Sequence, residues 1–156
     1  MKPFKNQVAI VTGAGQGIGL EICRQLAARG ASVILNDIEA SLAEEAASTI
    51  RKEGGICIAY SGDCSNVSFI ETMVKEAVQQ FGKLDIAIAN AGITLFGDFL
   101  EYKAEDFYKV MNVNLGGSFF LAQRACRQMK EQGAGGRILF MSSVTGHQAH
   151  KNLAAY

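Results

Sequence analysis

The chain lacks the proline-rich stretches that build linkers and the long apolar runs that build membrane spans. Its 156 residues include a single proline, Pro3, and no low-complexity stretch, so we expect one domain over residues 1–156. No apolar run approaches the roughly 20 residues that a membrane-spanning helix needs. No basic-then-apolar segment typical of a secretory signal opens the sequence. We therefore expect a cytoplasmic protein with no membrane partner.

Charge and metal-binding residues exclude two further classes of function. Fifteen basic residues balance 15 acidic ones, so no basic excess predicts a nucleic-acid partner. The only two histidines, His147 and His150, have no cysteine close by, and we expect no metal site. The four cysteines are scattered without a C-x-x-C pair, which is typical of free thiols in a reducing compartment: Cys23, Cys57, Cys64 and Cys126.

Short apolar runs alternate with helical stripes along the whole chain. Five strands are predicted, at 7–13, 31–37, 56–62, 84–92 and 136–143. Four helices are predicted between them, at 18–29, from after 37 to about 53, at 67–81 and at 104–129. Continuous rather than alternating apolar runs indicate a parallel sheet covered on both faces. With right-handed crossovers, this predicts an α/β fold: a doubly wound, Rossmann-like parallel sheet of strand order 3-2-1-4-5.

The stretch "TGAGQGIG" (12–19) joins the first predicted strand to the first predicted helix. Glycines there permit a tight turn and a close approach to a pyrophosphate, while the helix N-terminus offers free N–H groups. A purely conformational role for the glycines is the alternative, but the strand–turn–helix context favours a nucleotide site. The predicted cofactor-binding residues of this turn are Gly13, Gln16, Gly17, Ile18 and Gly19.

An acidic residue closes the second predicted strand. Asp37 follows Gly19 by eighteen residues, where an acid in nucleotide-binding α/β folds accepts hydrogen bonds from the adenosine ribose and repels a 2′-phosphate. The alternative is that Asp37 caps the following helix. No lysine or arginine lies near it before Arg51, so we expect NAD as the cofactor, with NADP disfavoured.

Together these features resemble the short-chain dehydrogenase/reductase superfamily, from about residue 7 to residue 156. Its T-G-x-x-x-G-x-G motif corresponds to residues 12–19, and its N-A-G motif to Asn90, Ala91 and Gly92. The acid that binds adenine in the family corresponds to Asp63 in "GDCSN". Within the superfamily, the sequence is most similar to 3-oxoacyl-carrier-protein reductases and glucose dehydrogenase-like members.

The resemblance also implies three catalytic residues. Asn114 lies in "VNLGG", and Ser143 precedes Tyr156 by the family's thirteen residues. Each match has an alternative: Asn90 as a turn residue at a strand end, Asn114 as a polar residue that kinks its helix, and Ser143 as a loop serine that binds its own backbone.

The implied reaction is hydride transfer between NAD and an alcohol or carbonyl substrate. Tyr156 would be the general acid–base, Ser143 would orient the substrate oxygen, and Asn114 would hold a water of the proton relay. A free tyrosine has a pKa of about 10, and the family favours its ionisation with a lysine four residues further on. The sequence stops before that lysine and before the later strands, so we expect it to be part of a longer chain.

Further expectations depend on that incompleteness. If the chain ended at Tyr156, a non-catalytic nucleotide-binding or sensor module would be the alternative function. The 156 residues alone would leave the fifth strand as an apolar sheet edge, and we expect them to be poorly soluble and inactive. The resemblance implies a homodimer or homotetramer at full length. An apolar wall of Leu95, Phe96 and Phe99 suits many substrates, so the substrate stays open.

Overall fold

The computed structural model describes residues 2–156, which form a five-stranded parallel sheet with helices on both faces. The order of the strands is β3-β2-β1-β4-β5, and every neighbouring pair is parallel, as predicted. The strands are β1 (Val8–Val11), β2 (Ser32–Leu35), β3 (Ile56–Ala59), β4 (Ile86–Ala89) and β5 (Arg137–Phe140). Each observed strand lies within its predicted range.

The first three helices follow the prediction closely. They are α1 (Gly17–Ala28), α2 (Ala40–Lys52) and α3 (Val67–Phe81). Positive φ angles at Gly30 and Gly82 end α1 and α3, because glycine adopts the left-handed conformation without a Cβ penalty.

The prediction of one continuous helix over 104–129 is wrong. The structure has α4 (Ala104–Met111), a π-helical segment (Asn112–Gly117) and α5 (Ser118–Glu131) in its place. A π-helical segment inserts extra backbone into a helix and is common at functional sites. Here its bulge lets Asn114 contact the chain that follows β4, where Oδ1 of Asn114 accepts a hydrogen bond from the Ile93 N–H at 2.8 Å.

The core consists of two layers, one on each face of the sheet. Successive β1 residues alternate between them: Ala9 and Val11 pack with α1 and α2, whereas Val8 and Ile10 pack with α3 and α5. All four are buried. Burial on both faces is the reason that the strands are continuous apolar runs in the sequence.

At one side of the sheet, β5 forms an edge. Leu139 is 48% exposed and Phe140 60% exposed, in contrast to the buried strand β4 next to it. Within residues 2–156, none of the helices has the length and apolarity needed to cross a bilayer.

The strand order creates a crevice at the carboxyl ends of β1 and β4. The chain runs from β1 outward to β2 and β3, then returns to place β4 on the other side of β1. Loops that leave β1 and β4 diverge at this switch point, which is where open α/β sheets bind ligands. The residues predicted to bind a nucleotide follow the ends of β1, β2, β3 and β4.

The start of α3 gives a test of the local structure. Oδ1 of Asn66 accepts hydrogen bonds from the N–H groups of Ser68 (2.9 Å) and Phe69 (3.2 Å), whereas Glu39 at the start of α2 makes no such bond. We expect Asn66→Ala to lower the free energy of unfolding of the whole protein by about 1 kcal/mol. Urea denaturation measures this change in the free energy of unfolding, with Glu39→Ala as the control. Equal losses in the two variants would contradict the capping role.

Candidate functional site

A cavity of about 860 Å³ runs along the carboxyl ends of the strands. It contains seven of the ten residues predicted to bind the cofactor: Gly13, Gln16, Asp37, Asp63, Asn90, Ala91 and Gly92. The other three, Gly17, Ile18 and Gly19, begin α1 and are not among the residues that line this cavity.

The glycine-rich loop lies close against the chain that follows β4. A Cβ on Gly13, whose φ is +61°, would lie 2.7 Å from Cα of Ala91. A Cβ on Gly19 would lie 2.5 Å from the carbonyl oxygen of Gly13. Both distances are shorter than real Cβ contacts, so these two positions require glycine. The two glycines therefore allow the loop to turn tightly against the chain that follows β4, as the pyrophosphate-binding turns of nucleotide-binding α/β folds do.

Asn90 holds this loop to the end of β4. Its Nδ2 donates hydrogen bonds to the carbonyl oxygens of Thr12 (3.0 Å) and Gly13 (2.9 Å). In return, Oγ1 of the buried Thr12 accepts from the N–H groups of Asn90 and Ala91, both at 3.2 Å. The Asn90 amide group therefore acts on the protein backbone and positions the loop, although Asn90 also lines the cavity.

Asp37 is joined to the same loop from the other side. Its Oδ2 accepts a hydrogen bond from the Gly15 N–H at 2.9 Å, and its Oδ1 accepts from the Glu39 N–H at 3.1 Å. The N-cap of α2 is Glu39, so the alternative that Asp37 caps this helix does not describe the structure. The Asp37 carboxylate faces the cavity and orders the glycine-rich loop.

Asn36 is a cavity residue that the sequence interpretation missed. It is 1% exposed, and its Nδ2 donates to the carbonyl oxygens of Tyr60 and Gly62, both at 3.0 Å. These bonds join the end of β2 to the turn that carries Asp63. The sequence places this amide directly after an apolar run, but it does not show whether the partners that a buried amide needs are backbone or ligand.

The helical wall of the cavity was also missed. Glu105, Tyr108, Lys109 and Asn112 line it from α4 and the start of the π-helical segment. Counted from Glu105, their positions are i, i+3, i+4 and i+7, which lie on one helix face. The pattern was visible in the sequence, but nothing there indicated that this face borders the crevice.

Cys64 lines the cavity beside Asp63. Burial raises the pKa of its thiol to about 11, and the negative charge of Asp63 adds to the effect. The thiol is therefore neutral at physiological pH. Among residues 2–156, no group of three or more His, Cys, Asp or Glu side chains is placed to hold a metal ion.

A second cavity, of about 240 Å³, adjoins the first. The three predicted catalytic residues, Asn114, Ser143 and Tyr156, all line it. The chain after β4, residues 90–92, lines both cavities, so the two form neighbouring compartments with a common wall.

Each of the three predicted catalytic side chains has a defined environment. Asn114 pairs with the backbone of Ile93 through both amide atoms, at 2.8 and 3.0 Å. Ser143 Oγ accepts from the Thr145 hydroxyl (2.9 Å) and N–H (3.3 Å), and so caps the 3-10 turn Val144–Gly146. The Tyr156 side chain borders the cavity and is partly exposed. The backbone contact proposed as the alternative for Ser143 is therefore present, and Asn114, whose alternative was a kink in its helix, lies in the π-helical segment and binds backbone as well.

Comparison with known proteins identifies the same family over nearly the whole chain. The sequence model of the short chain dehydrogenase family matches residues 7–156. A short-chain dehydrogenase/reductase of Armillaria gallica is 40% identical over 154 residues, which cover 97% of this chain. Elsinochrome reductase 1 of Elsinoe fawcettii is 40% identical over 141 residues, which cover 90% of it.

A solved structure agrees with the fold. The crystal structure of NAD⁺-bound xylitol dehydrogenase superposes with a TM-score of 0.93 at 33% identity and covers 99% of this chain. The chain spans 59% of the Armillaria protein, 52% of the Elsinoe protein and 59% of the xylitol dehydrogenase. It therefore corresponds to between half and three fifths of the length of these proteins.

The contact between Asn90 and the glycine-rich loop predicts the effect of an isosteric change. In Asn90→Asp, a carboxylate would face the carbonyl oxygens of Thr12 and Gly13 and would donate no hydrogen bond. We expect a loss of about 1–3 kcal/mol in the free energy of unfolding, measured by urea denaturation of the whole protein. Asn6→Asp, at an exposed position, is the charge-matched control. Equal stability of the two variants would contradict this role of Asn90.

Proposed function

This chain belongs to the short-chain dehydrogenase family, a family of oxidoreductases, and we propose that the protein containing it is an NAD(H)-dependent enzyme acting on an alcohol or carbonyl substrate. One observation carries the proposal. A long cavity with a glycine-rich cradle shares its wall with a small cavity that contains a serine, a tyrosine and an asparagine. A dinucleotide in the first would extend its reactive end into the second.

The residues around the long cavity fit a dinucleotide. Glycine at positions 13 and 19 lets the loop pack tightly against Ala91 and against itself, and α1 begins directly behind the loop with its N–H groups. Asp37 would accept hydrogen bonds from the adenosine ribose, and Asp63 would bind adenine. Gln16, Gly17 and Ile18 would form the remainder of the pyrophosphate-binding turn, and residues 90–92 the wall beneath it.

The charges near Asp37 support NAD over NADP. Ile38, which lines the cavity next to Asp37, is apolar and offers no side-chain donor to a 2′-phosphate. Arg51 is engaged elsewhere, with Glu44 and the carbonyl oxygen of Cys57. Of the residues within 2–156 that line the cavity, Lys109 is the one cation, and it is on α4 rather than beside Asp37.

Proton transfer would take place in the small cavity. When bound, the nicotinamide supplies or accepts the hydride. The Tyr156 hydroxyl would give its proton to the carbonyl oxygen during reduction and recover it during oxidation. Ser143 accepts two hydrogen bonds from Thr145, which leaves its own hydroxyl proton to donate to the substrate oxygen. Asn114, fixed by Ile93, would keep the helix backbone in place for the relay water.

Two exposed apolar regions support the remaining expectations. Phe96 and Phe99 of the expected apolar wall are exposed in the loop between β4 and α4, whereas Leu95 is half-buried. Together with the exposed Leu100, they would form an apolar side of the substrate entrance. Phe119 on α5 and Phe140 on β5 border an apolar groove, which supports burial of this face in a homodimer or homotetramer.

Removing the Tyr156 hydroxyl tests the reaction. In the whole protein, we expect Tyr156→Phe to lower kcat at least about 100-fold, because the proton donor is lost, with little change in the Kd for NADH. NADH fluorescence and steady-state turnover over a panel of alcohols and ketones measure the two quantities. Tyr108→Phe, at the long cavity, is the control and should keep its turnover. A wild-type protein that binds NADH and turns over none of the panel would favour the nucleotide-binding module instead.

Removing the Asp37 carboxylate tests the choice of cofactor. We expect Asp37→Ala to raise the ratio of kcat/KM for NADP to that for NAD at least about tenfold, because a charge that repels the 2′-phosphate is lost. Glu39→Ala removes an acid two residues away on the same cavity wall and should change the ratio little. A wild-type preference for NADP, or an unchanged ratio in Asp37→Ala, would contradict the assignment.

A further inference from the structure

We propose that Gly117, at the end of the π-helical segment, is a positioning residue for the turn that carries Asp63 and so controls affinity for the adenine half of the dinucleotide. The inference rests on the proposed function, which places adenine beside Asp63. Gly117 itself does not line the long cavity. Its effect would be transmitted through Cys64, which does.

The contact between Gly117 and Cys64 is a contact between backbones. A Cβ on Gly117 would lie 2.8 Å from the carbonyl oxygen of Cys64 and 3.5 Å from its carbonyl carbon. Neither atom belongs to a flexible side chain that could turn aside. Because Gly117 is buried, a methyl group there would have to displace either the helix or the turn.

The turn after β3 is built to move as one piece. Oδ1 of Asp63 accepts a hydrogen bond from the Ser65 N–H at 2.8 Å, and the carbonyl oxygen of Asp63 accepts from the Asn66 N–H at 3.1 Å. Cys64 lies between the residues that these two hydrogen bonds join, within the turn that they close. A push on the Cys64 carbonyl would therefore displace the Asp63 carboxylate as well.

The same helical segment contacts both compartments. Asn114 binds the Ile93 backbone next to the small cavity, and Gly117 meets Cys64 next to the long one. The π-helical segment therefore sets the position of the turn after β3 relative to the chain after β4. Within this segment, Gly117 is the residue whose missing side chain allows the approach to Cys64.

The chain offers a matched control one residue away. Gly117 has φ −56° and ψ −46°, so alanine is free of backbone strain there and should gain helix propensity. A Cβ on Gly116 would meet nothing closer than the Met111 carbonyl oxygen at 3.7 Å, an ordinary contact. Gly116→Ala and Gly117→Ala thus add the same group to the same segment, and only the second encounters the turn.

The experiment measures the two halves of the cofactor separately. With the whole protein, we expect Gly117→Ala to weaken AMP binding about tenfold, the loss expected for one displaced hydrogen-bonding group. Binding of nicotinamide mononucleotide should stay within about twofold, well under the tenfold step that 1.4 kcal/mol represents. Gly116→Ala should match the wild type for both ligands. Equal AMP affinity in the two variants, or equal weakening of both ligands in Gly117→Ala, overturns the inference.

Hydrogen exchange on the wild type keeps the inference testable if Gly117→Ala does not fold. We expect AMP to slow exchange in the 63–66 turn and, through the Cys64 contact, in residues 115–120 as well. Protection of the turn alone would overturn the inference. A wild-type protein that binds neither AMP nor NADH would overturn the proposed function, whereas normal binding with no difference between the variants would overturn only the role of Gly117.

Discussion

The hydrogen bonds between Asn90 and the β1–α1 loop are the constraint on which the site depends. They join the carboxyl ends of β1 and β4, the two strands that flank the switch point. If this joint opened, the glycine-rich loop would lose its support and the wall common to both cavities would shift. Thr12 reinforces the joint from a buried position by accepting the N–H groups of Asn90 and Ala91. Two side chains thereby determine where the glycine-rich loop meets the chain after β4.

The other loops at this end of the sheet are each hydrogen-bonded to a neighbouring loop, beginning with the glycine-rich loop that Asn90 holds. Asp37 holds the glycine-rich loop through Gly15, and the carbonyl oxygen of Asp37 accepts the Gly62 N–H at 3.0 Å. Asn36 then binds Gly62 from the other direction. Each loop is thus positioned by the end of a neighbouring strand, so the order of strands in the sheet determines which loops contact one another in the site. A cavity built in this way is largely formed before any ligand arrives.

The sequence predicted the fold well because its apolar runs reflect burial on both faces of a parallel sheet. Asp37 was predicted because it closes the second of those runs, whereas Asp63 and residues 90–92 were predicted from the family resemblance. Asn36 was missed because it follows one of those runs too, yet an amide gives no sign of whether it meets a ligand or a backbone. The π-helical segment was missed for a different reason. Helical periodicity over 104–129 is nearly the same with or without one widened turn, and only the tertiary contacts of Asn114 and Gly117 require it.

The polar side chains of the site fall into two groups, those that bind protein backbone and those that border the cavities. This difference affects how the site would bind an anion. Asn36, Asn90 and Asn114 all direct their amide groups at protein backbone, whereas carboxylates and hydroxyls border the cavities. The long cavity has four acidic residues and one lysine in its wall, so side-chain charge does not favour a pyrophosphate. A bound pyrophosphate would then depend on the N–H groups of the glycine-rich loop and of the start of α1, which carry no net charge. Backbone groups attract an anion only where the loop is held in one shape, and the asparagine contacts supply that rigidity.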